Sequence, residues 1–227
     1  MKKSDREDDL LLDKFIEAGE EAGFPLTRDF NGKEQEGFSR YEHTINDTPR
    51  GPRRWSSAQA YLHPALKRKN LFNETNVTVD KLILDGKKVK GVEYVNEKGV
   101  RTSCFVNREV ILSAGALGSP QILMRSGIGD SNDITKHGIA MVHELKGVGK
   151  NLQDHYGVTS AFYATQPVTL HRSASWLSTQ IAGIKYLLFG TGDAAYPPCS
   201  GGAFIKSSPD KDLPDTQLHY VSVQSQD

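Results

Sequence analysis

Two segments of the chain carry apolar residues at the spacing of a helix. In the range 9–23, Leu12 and Ile16 fall on one side of a helical projection and acidic residues on the others, which predicts an amphipathic helix. Farther along, an apolar stripe at steps of four, three and four residues predicts a second helix that ends at Gly190, and its members are Leu177, Ile181, Ile184 and Leu188. Each helix therefore has an apolar face to bury.

Three strands joined by tight turns are predicted in the middle of the chain, at about 77–84, 88–95 and 100–106. Asp85-Gly86 and the range 96–99 are typical turn sequences between them. The apolar residues change parity between Val79 and Leu82, which predicts a β-bulge near Asp80 or Lys81. The segment therefore reads as a β-meander.

A strand, a glycine turn and a helix follow one another in the range 109–129. Residues 110–112 are apolar and suit a strand that is covered on both faces. Small residues follow, and they would let a ligand approach the backbone: Ser113, Ala114 and Gly115. Ser119 and Pro120 predict the start of the helix, and Gly127 predicts its end. This arrangement is suited to holding a phosphate, although many sheets contain such a turn without a ligand.

The rest of the pattern is less regular. The range 24–52 is rich in Gly, Asn, Asp and Pro and predicts a long irregular connection. Further predicted elements are a short helix at 56–67, a helical turn at 134–138, a short strand at 140–144, a strand at 156–165 that leads into a second domain, and final strands at 202–206 and 216–223. Together these elements predict a mixed α/β fold.

Composition excludes several classes of protein. The 28 Lys and Arg residues balance the 28 Asp and Glu residues, so no charge field favours nucleic acid or an anionic membrane. No run approaches the roughly 18 apolar residues of a transmembrane helix. Cys104 and Cys199 are expected to be buried or free thiols in a reducing compartment, and no His, Cys, Asp or Glu spacing predicts a metal site. The acidic start of the chain does not read as a signal or transit peptide.

A second glycine-containing segment lies about thirty residues after the turn, at 147–155 (GVGKNLQDH). With the turn at 113–129, the NGKEQEGF segment at 31–38 and the RWSSAQAYLHPAL run at 54–66, it resembles the glucose-methanol-choline (GMC) family of flavin oxidoreductases. The resemblance implies FAD as cofactor. It also implies part of an FAD-binding Rossmann-like domain with a β-meander, and part of a substrate domain with an antiparallel sheet and helices. The expected boundaries are 1–50 for a helix and connection of the substrate region, 51–157 for the FAD-binding part and 158–227 for the substrate-binding part.

The resemblance also implies roles for particular residues. Those expected on the cofactor side are Val79, Ser113, Ala114, Gly115, Asn151 and His155, with Val79 at the position where the family contacts the adenine through the main chain. Tyr163 and Ser200 are expected near the substrate. His219, in the segment PDTQLHY, is expected to face the substrate cavity, where it could donate a hydrogen bond to an alcohol or to a developing alkoxide. For each of these residues an ordinary structural role is the alternative.

Two features of the family are missing from the 227 residues. The chain has no GxGxxG dinucleotide fingerprint and lacks the later segment that supplies the main catalytic histidine. We therefore expect the chain to be a central fragment of a protein more than twice as long, inactive by itself.

Three hypotheses about function stay open. The first is an FAD-dependent alcohol dehydrogenase of the choline-oxidising, mitochondrial branch, which converts choline to betaine aldehyde and passes electrons to a quinone-type acceptor. The second is a secreted, glucose-dehydrogenase-like member, since N-glycosylation sequons begin at Asn46, Asn73 and Asn76. The third is a truncated, non-catalytic binding or scaffold relative.

Overall fold

The computed structural model describes residues 2–3, 9–166, 168–170 and 175–222. Residue 223, the end of the last predicted strand, lies outside these ranges. The chain forms two compact units. The first consists of two segments, Met1–Arg68 and Thr159–Asp227, and the second is the intervening segment Lys69–Val158. The domain boundaries expected from the sequence, after residues 50 and 157, stay a prediction. None of the helices in the described ranges is both long and apolar enough to cross a membrane.

The elements follow in chain order. The first unit begins with β1 (Lys2–Lys3), α1 (Leu10–Glu21), β2 (Gly37–Arg40), β3 (Glu42–His43), β4 (Ile45–Thr48), β5 (Gly51–Arg54), a π-helical turn (Ala58–Leu62) and α2 (His63–Ala65). The second unit contains β6 (Val77–Asp85), β7 (Lys88–Asn96), β8 (Arg101–Phe105), α3 (Gly115–Arg125), β9 (Ile128–Gly129), α4 (Ser131–Ile134), a 3₁₀ turn (Thr135–His137) and β10 (His143–Glu144). The first unit then continues with α5 (Trp176–Phe189), a 3₁₀ turn (Asp193–Ala195), β11 (Cys199–Ile205) and β12 (Thr216–Val221).

The first unit is organised around the strand β11. It pairs antiparallel with β2 on one edge and with β12 on the other, which gives the order β12-β11-β2. Helix α1 packs on this sheet, with Leu12 fully buried and the Phe15 ring 5.1 Å from the Phe38 ring of β2. The helix predicted at 9–23 is thus confirmed, and the side of it that carries Leu12 forms the core.

Asp9 joins the start of α1 to the sheet. Its carboxylate accepts hydrogen bonds from the Leu12 N–H (3.3 Å), as an N-cap does, and from the Ser200 hydroxyl of β11 (2.7 Å). Asp9 is 6% exposed and Ser200 is 2% exposed. Because both groups are buried, the bond satisfies polar atoms that would otherwise be costly to remove from water.

Two predictions about irregular and extended segments were wrong. The range 24–52, expected to be irregular, contains β2, β3, β4 and the start of β5, because β11 supplies the hydrogen-bonding partner for β2 and the hairpin β4-β5 closes on itself. The strand expected at 156–165 does not form, and these residues are neither helical nor extended in a sheet. For β2 the distant strand β11 overrides the local pattern, and residues 156–165 have no pairing partner among the described residues.

The meander of the second unit is confirmed in the order β6-β7-β8. The pairing register shifts between Val79 and Lys81, which confirms the predicted bulge. Helix α3 packs on β6, and the Ser126 hydroxyl at the end of the helix accepts the Leu82 N–H (2.8 Å) and donates to the Ile122 carbonyl (2.5 Å). These hydrogen bonds lie beside the buried side chains of Leu82 and Ile122.

The bulge places the Asp80 carboxylate between two arginines. Asp80 accepts hydrogen bonds from Arg101 of β8 and from Arg125 of α3, and Arg125 Nε also donates to the Asp80 backbone carbonyl (3.1 Å). These charged donors hold the pKa of Asp80 below its ordinary value. One carboxylate therefore connects three elements of the unit.

The strand predicted at 110–112 does not form, and this prediction was wrong. Among the described residues no strand pairs with it, and Ile111 is 77% exposed. A strand of parallel type needs neighbours on its edges and cover on its faces. The helix begins at Gly115 and not at Ser119; the Ser119 hydroxyl instead accepts the Ala114 N–H (3.0 Å). The predicted end at Gly127 is confirmed.

The helix predicted to end at Gly190 is confirmed as α5, with Gly190 in the left-handed conformation (φ 66°). The Tyr186 hydroxyl donates to the Pro52 carbonyl of the hairpin β4-β5 (2.7 Å). The apolar stripe that predicted the helix is exposed in the structure, with Leu177 at 62% and Leu188 at 69%.

Replacing Ser126 by Ala tests the link between α3 and the meander. The change leaves the buried Leu82 N–H without an acceptor, so we expect a loss of about 1–3 kcal/mol of stability. Hydrogen–deuterium exchange of the β6 peptide should become faster than in the unchanged protein. Ser103→Ala, at an exposed position of β8, is the matched control and should leave β6 exchange unchanged. Equal exchange in both variants would contradict the assigned role.

The arginine-bound Asp80 predicts an acid sensitivity of the second unit. Because its folded pKa is lower than the value of 3.8 for an ordinary carboxyl, its contribution is present above about pH 4 and is lost as the pH falls through the folded pKa. Between about pH 5 and pH 2 the protein should therefore lose more stability than Asp80→Asn does. Urea unfolding followed by circular dichroism measures this, with Asp85→Asn as control. Parallel pH curves for the protein and Asp80→Asn would refute it.

Candidate functional site

The residues expected on the cofactor side all lie in the second unit. The Val148 side chain is buried and Gly149 lies against Pro120 and Met124 of α3, so the loop at 147–151 packs on that helix. Lys150 adds an ion pair with Asp133 of α4 (2.6 Å). The two glycine segments that suggested a cofactor site in the sequence are thus adjacent to one helix.

Gly115 forms the first residue of α3 in a conformation that favours glycine, with φ 82°. Apart from its chain neighbours and the backbone of its own helix, a Cβ added to it would meet no atom within 4 Å, so the space in front of the residue is open. Ser113 and Ala114 before it are also exposed. The unpaired N–H groups of the first helical turn follow directly, and they carry the positive end of the helix dipole. An anionic group can therefore come close to the backbone at this end of α3.

Val79 lies on the edge strand of the meander. Among the described residues β6 pairs with β7 alone, so no strand covers its other edge, where helix α3 takes the Leu82 N–H and the Asp80 carbonyl. A shallow depression of about 390 Å³ opens at this end of the hairpin, lined by Asn76, Val77, Thr78, Val95, Asn96 and Glu97. Val79 itself is half-buried and pairs with Tyr94, and its main-chain contact with an adenine stays a prediction.

Asn151 and His155 lie in the irregular segment after the second glycine loop. Asn151 adopts φ 55°, and its side-chain oxygen accepts from the Gln153 amide (3.3 Å). The His155 backbone N–H donates to the Asp154 carboxylate (2.8 Å), and its ring is exposed. Both side chains are open to solvent, and their roles toward a cofactor stay predictions.

His219, the residue expected in the substrate cavity, lies on β12 opposite Gly202 of β11. Its ring is exposed, and its Nδ1 atom is 3.2 Å from the Tyr41 hydroxyl and 3.7 Å from Cys199 Sγ. The Tyr41 and His219 ring centroids are 5.7 Å apart. A histidine, a tyrosine and a cysteine from three separate segments therefore meet in the first unit.

The other two residues expected near the substrate, Ser200 and Tyr163, differ strongly in solvent exposure. Ser200 is buried and its hydroxyl donates to Asp9, which gives it a structural bond at the start of α1. Tyr163 is 97% exposed in the irregular segment before α5. Their contacts with a substrate stay predictions.

Sequence reasoning did not identify the groups that surround His219. Tyr41 is separated from it by 178 positions, and only the pairing of β2, β11 and β12 brings the two together. Burial raises the pKa of both the Tyr41 hydroxyl and the Cys199 thiol, so both groups are neutral near pH 7. Neither cysteine is in a disulfide: Cys104 is exposed and Cys199 is half-buried.

Comparison with known families gives one clear match. Residues 2–157 match the model of the GMC oxidoreductase family. The chain is 43% identical over 214 residues to the mitochondrial choline dehydrogenase of Mus musculus, covering 94% of this chain and 35% of that protein. It is 41% identical over 214 residues to the oxygen-dependent choline dehydrogenase of Pseudomonas savastanoi, covering 94% and 37%. The chain thus spans about a third of the length of the curated relatives it matches.

Solved structures share the fold. A formate oxidase superposes with a TM-score of 0.81 at 22% identity, covering 97% of this chain and 42% of that one. Pyridoxine 4-oxidase from Mesorbium loti superposes with a TM-score of 0.57 at 33% identity, covering 63% and 28%. These neighbours agree with the mixed helices and antiparallel sheets described above.

The two cysteines should differ in reactivity. Because Cys199 is half-buried and its thiol has a raised pKa, iodoacetamide at mildly alkaline pH should modify it several-fold more slowly than the exposed Cys104. Peptide mass spectrometry over a time course measures both rates in one sample. Cys104→Ser, in which Cys199 should keep its slow rate, is the control. Modification of Cys199 as fast as that of Cys104 would be inconsistent with the described burial.

Proposed function

Because the chain belongs to the GMC oxidoreductase family, we propose that it is part of an FAD-dependent dehydrogenase that oxidises an alcohol group, with choline as the substrate and betaine aldehyde as the product. The observation that carries the proposal is the identity with choline dehydrogenases over more than nine tenths of the chain. The activity is proposed for the whole protein, since the chain corresponds to about a third of those relatives.

The second unit fits one part of an FAD site. The open space at Gly115 and the free end of α3 suit a phosphate, and the unpaired edge of β6 at Val79 suits an adenine read by the main chain. A side chain at position 115 would reduce the space for the phosphate. Ser113, Ala114, Asn151 and His155 are proposed to complete this side. FAD, when bound, supplies the acceptor for the hydride that leaves the alcohol carbon.

His219 is proposed to act on the substrate hydroxyl. An exposed imidazole on a strand can hydrogen-bond the alcohol and take part in the movement of its proton. Tyr163 is proposed to present its ring to a trimethylammonium group, which aromatic faces attract. For Ser200 the bond to Asp9 favours the alternative role of shaping this part of the sheet.

We propose a mitochondrial location, because the mouse and human relatives are named as mitochondrial choline dehydrogenases. A quinone-type electron acceptor is proposed from the resemblance to the choline-oxidising branch of the family. The secreted alternative and the non-catalytic alternative are outcomes of the experiment below.

The experiment uses the full open reading frame that contains this chain. The purified protein should show flavin absorbance and should oxidise choline with a quinone analogue as acceptor. His219→Ala should lower kcat/KM by about 10²-fold or more while flavin content is unchanged. His137→Ala, on an exposed turn of the second unit, is the matched control and should keep full activity.

Other outcomes would reject the proposal in defined ways. Turnover of a sugar but not of choline would favour the glucose-dehydrogenase-like alternative. A protein without flavin and without turnover would favour a binding or scaffold role.

A further inference from the structure

We propose that Tyr41 is a positioning residue that holds the His219 imidazole in its Nδ1–H tautomer, so that Nε2 is left as a hydrogen-bond acceptor. The inference rests on the proposed function of His219, because it says how that side chain is prepared for an alcohol. It concerns residues of the first unit only.

The hydrogen bonds of the Tyr41 hydroxyl lead to this tautomer. The oxygen is 3.0 Å from the Leu218 carbonyl, 3.3 Å from Gln217 Nε2 and 3.2 Å from His219 Nδ1. A phenol has one hydrogen to donate and can accept with its lone pairs. The carbonyl can only accept, so the phenol hydrogen belongs to the bond with Leu218. The amide N–H and the imidazole Nδ1 are then left as donors to the Tyr41 oxygen.

Cys199 is compatible with the same assignment. Its sulfur lies 3.7 Å from Nδ1, and a thiol sulfur is a weak acceptor for an N–H that points between it and the Tyr41 oxygen. The titratable groups in contact with the ring, Tyr41 before β3 and Cys199 on β11, are neutral near pH 7 because burial raises the pKa of each. Their hydrogen bonds therefore orient the ring without an adjacent carboxylate.

Gly202 makes room for the tyrosine. It pairs with His219 across β11 and β12, and a Cβ on it would overlap both the Tyr41 hydroxyl and the Leu218 carbonyl. The backbone of Tyr41 is also fixed, because its N–H donates to the Ser200 carbonyl (2.9 Å). Tyr41 is thus held at its backbone N–H and at its hydroxyl. A side chain needs such support if it is to fix the orientation of another side chain.

This tautomer has a chemical consequence. With the proton on Nδ1, Nε2 of the exposed His219 residue carries the lone pair and can accept a hydrogen bond from an alcohol O–H. With the opposite tautomer, Nε2 could only donate. Neutral His219 is therefore prepared to accept a hydrogen bond from the alcohol O–H. It donates from Nε2 toward a developing alkoxide only as an imidazolium, in which Nδ1–H still donates to Tyr41.

The first test reads the tautomer directly and does not depend on activity. Long-range ¹H–¹⁵N spectra of the protein labelled with ¹⁵N-histidine, with His219→Gln to assign the signals, should show neutral His219 as the Nδ1–H form. In Tyr41→Phe the Nε2–H form should increase, and in Gly202→Ala, which displaces the hydroxyl, the shift should be in the same direction. Tyr186→Phe is the control, since it removes a hydroxyl that donates to a carbonyl elsewhere in the same unit. A wild-type His219 in the Nε2–H form, or a Tyr41→Phe spectrum identical to wild type, would overturn the inference.

The second test is kinetic and uses the full protein. In Tyr41→Phe, kcat/KM should fall by about tenfold, the order of magnitude of one hydrogen bond, and its pH profile should differ from that of the unchanged protein. Tyr186→Phe should leave both unchanged. If the tautomer is as expected but Tyr41→Phe keeps the wild-type pH profile, the positioning role is rejected. If His219→Ala keeps full activity while the tautomer is as expected, the proposed function of His219 fails and the Tyr41 contact stands.

Discussion

The pairing of β11 with two distant strands is the constraint on which the first unit depends. One edge of β11 binds β2 and the other binds β12, so segments near the two ends of the chain become neighbours. The pairing places Ser200 on Asp9 at the start of α1 and brings Tyr41 beside His219. Closing so long a loop is entropically costly, and the buried hydrogen bonds and the core around Leu12 and Ala203 offset that cost.

Helix α3 connects the elements of the second unit as β11 connects those of the first. Its two ends have different roles. The C-terminal end is tied to the meander by Ser126 and by the Asp80–Arg125 contact. The N-terminal end carries Gly115 and is open. A helix that is fixed at one end can present its free N–H groups at the other in a constant direction, which is a requirement for holding a charged ligand. The loop at 147–151 packs on the same helix and adds to its support.

Local patterns were sufficient for the elements that complete their own hydrogen bonds. The meander, its bulge and the helices α1 and α5 could be predicted because a tight turn, a change of parity or an apolar stripe identifies each of them. Two kinds of segment were not predictable in this way. β2 becomes a strand through a partner about 160 positions away, whereas residues 110–112 have a strand sequence and lack a partner among the described residues. An apolar run does not determine whether another strand is available to pair with it.

By itself the sequence determined the family, through the glycine segments at 113–129 and 147–155, and it pointed to His219 as the side chain of interest. These conclusions rest on short sequence motifs, since a glycine turn or a histidine motif is formed by consecutive residues. Only the tertiary structure decided what surrounds these residues: the bond of Ser200 to Asp9, the exposure of Tyr163, and the contact of Tyr41 and Cys199 with His219. The physical reason is that hydrogen-bond partners are chosen by strand pairing and burial, which join residues that no local pattern connects.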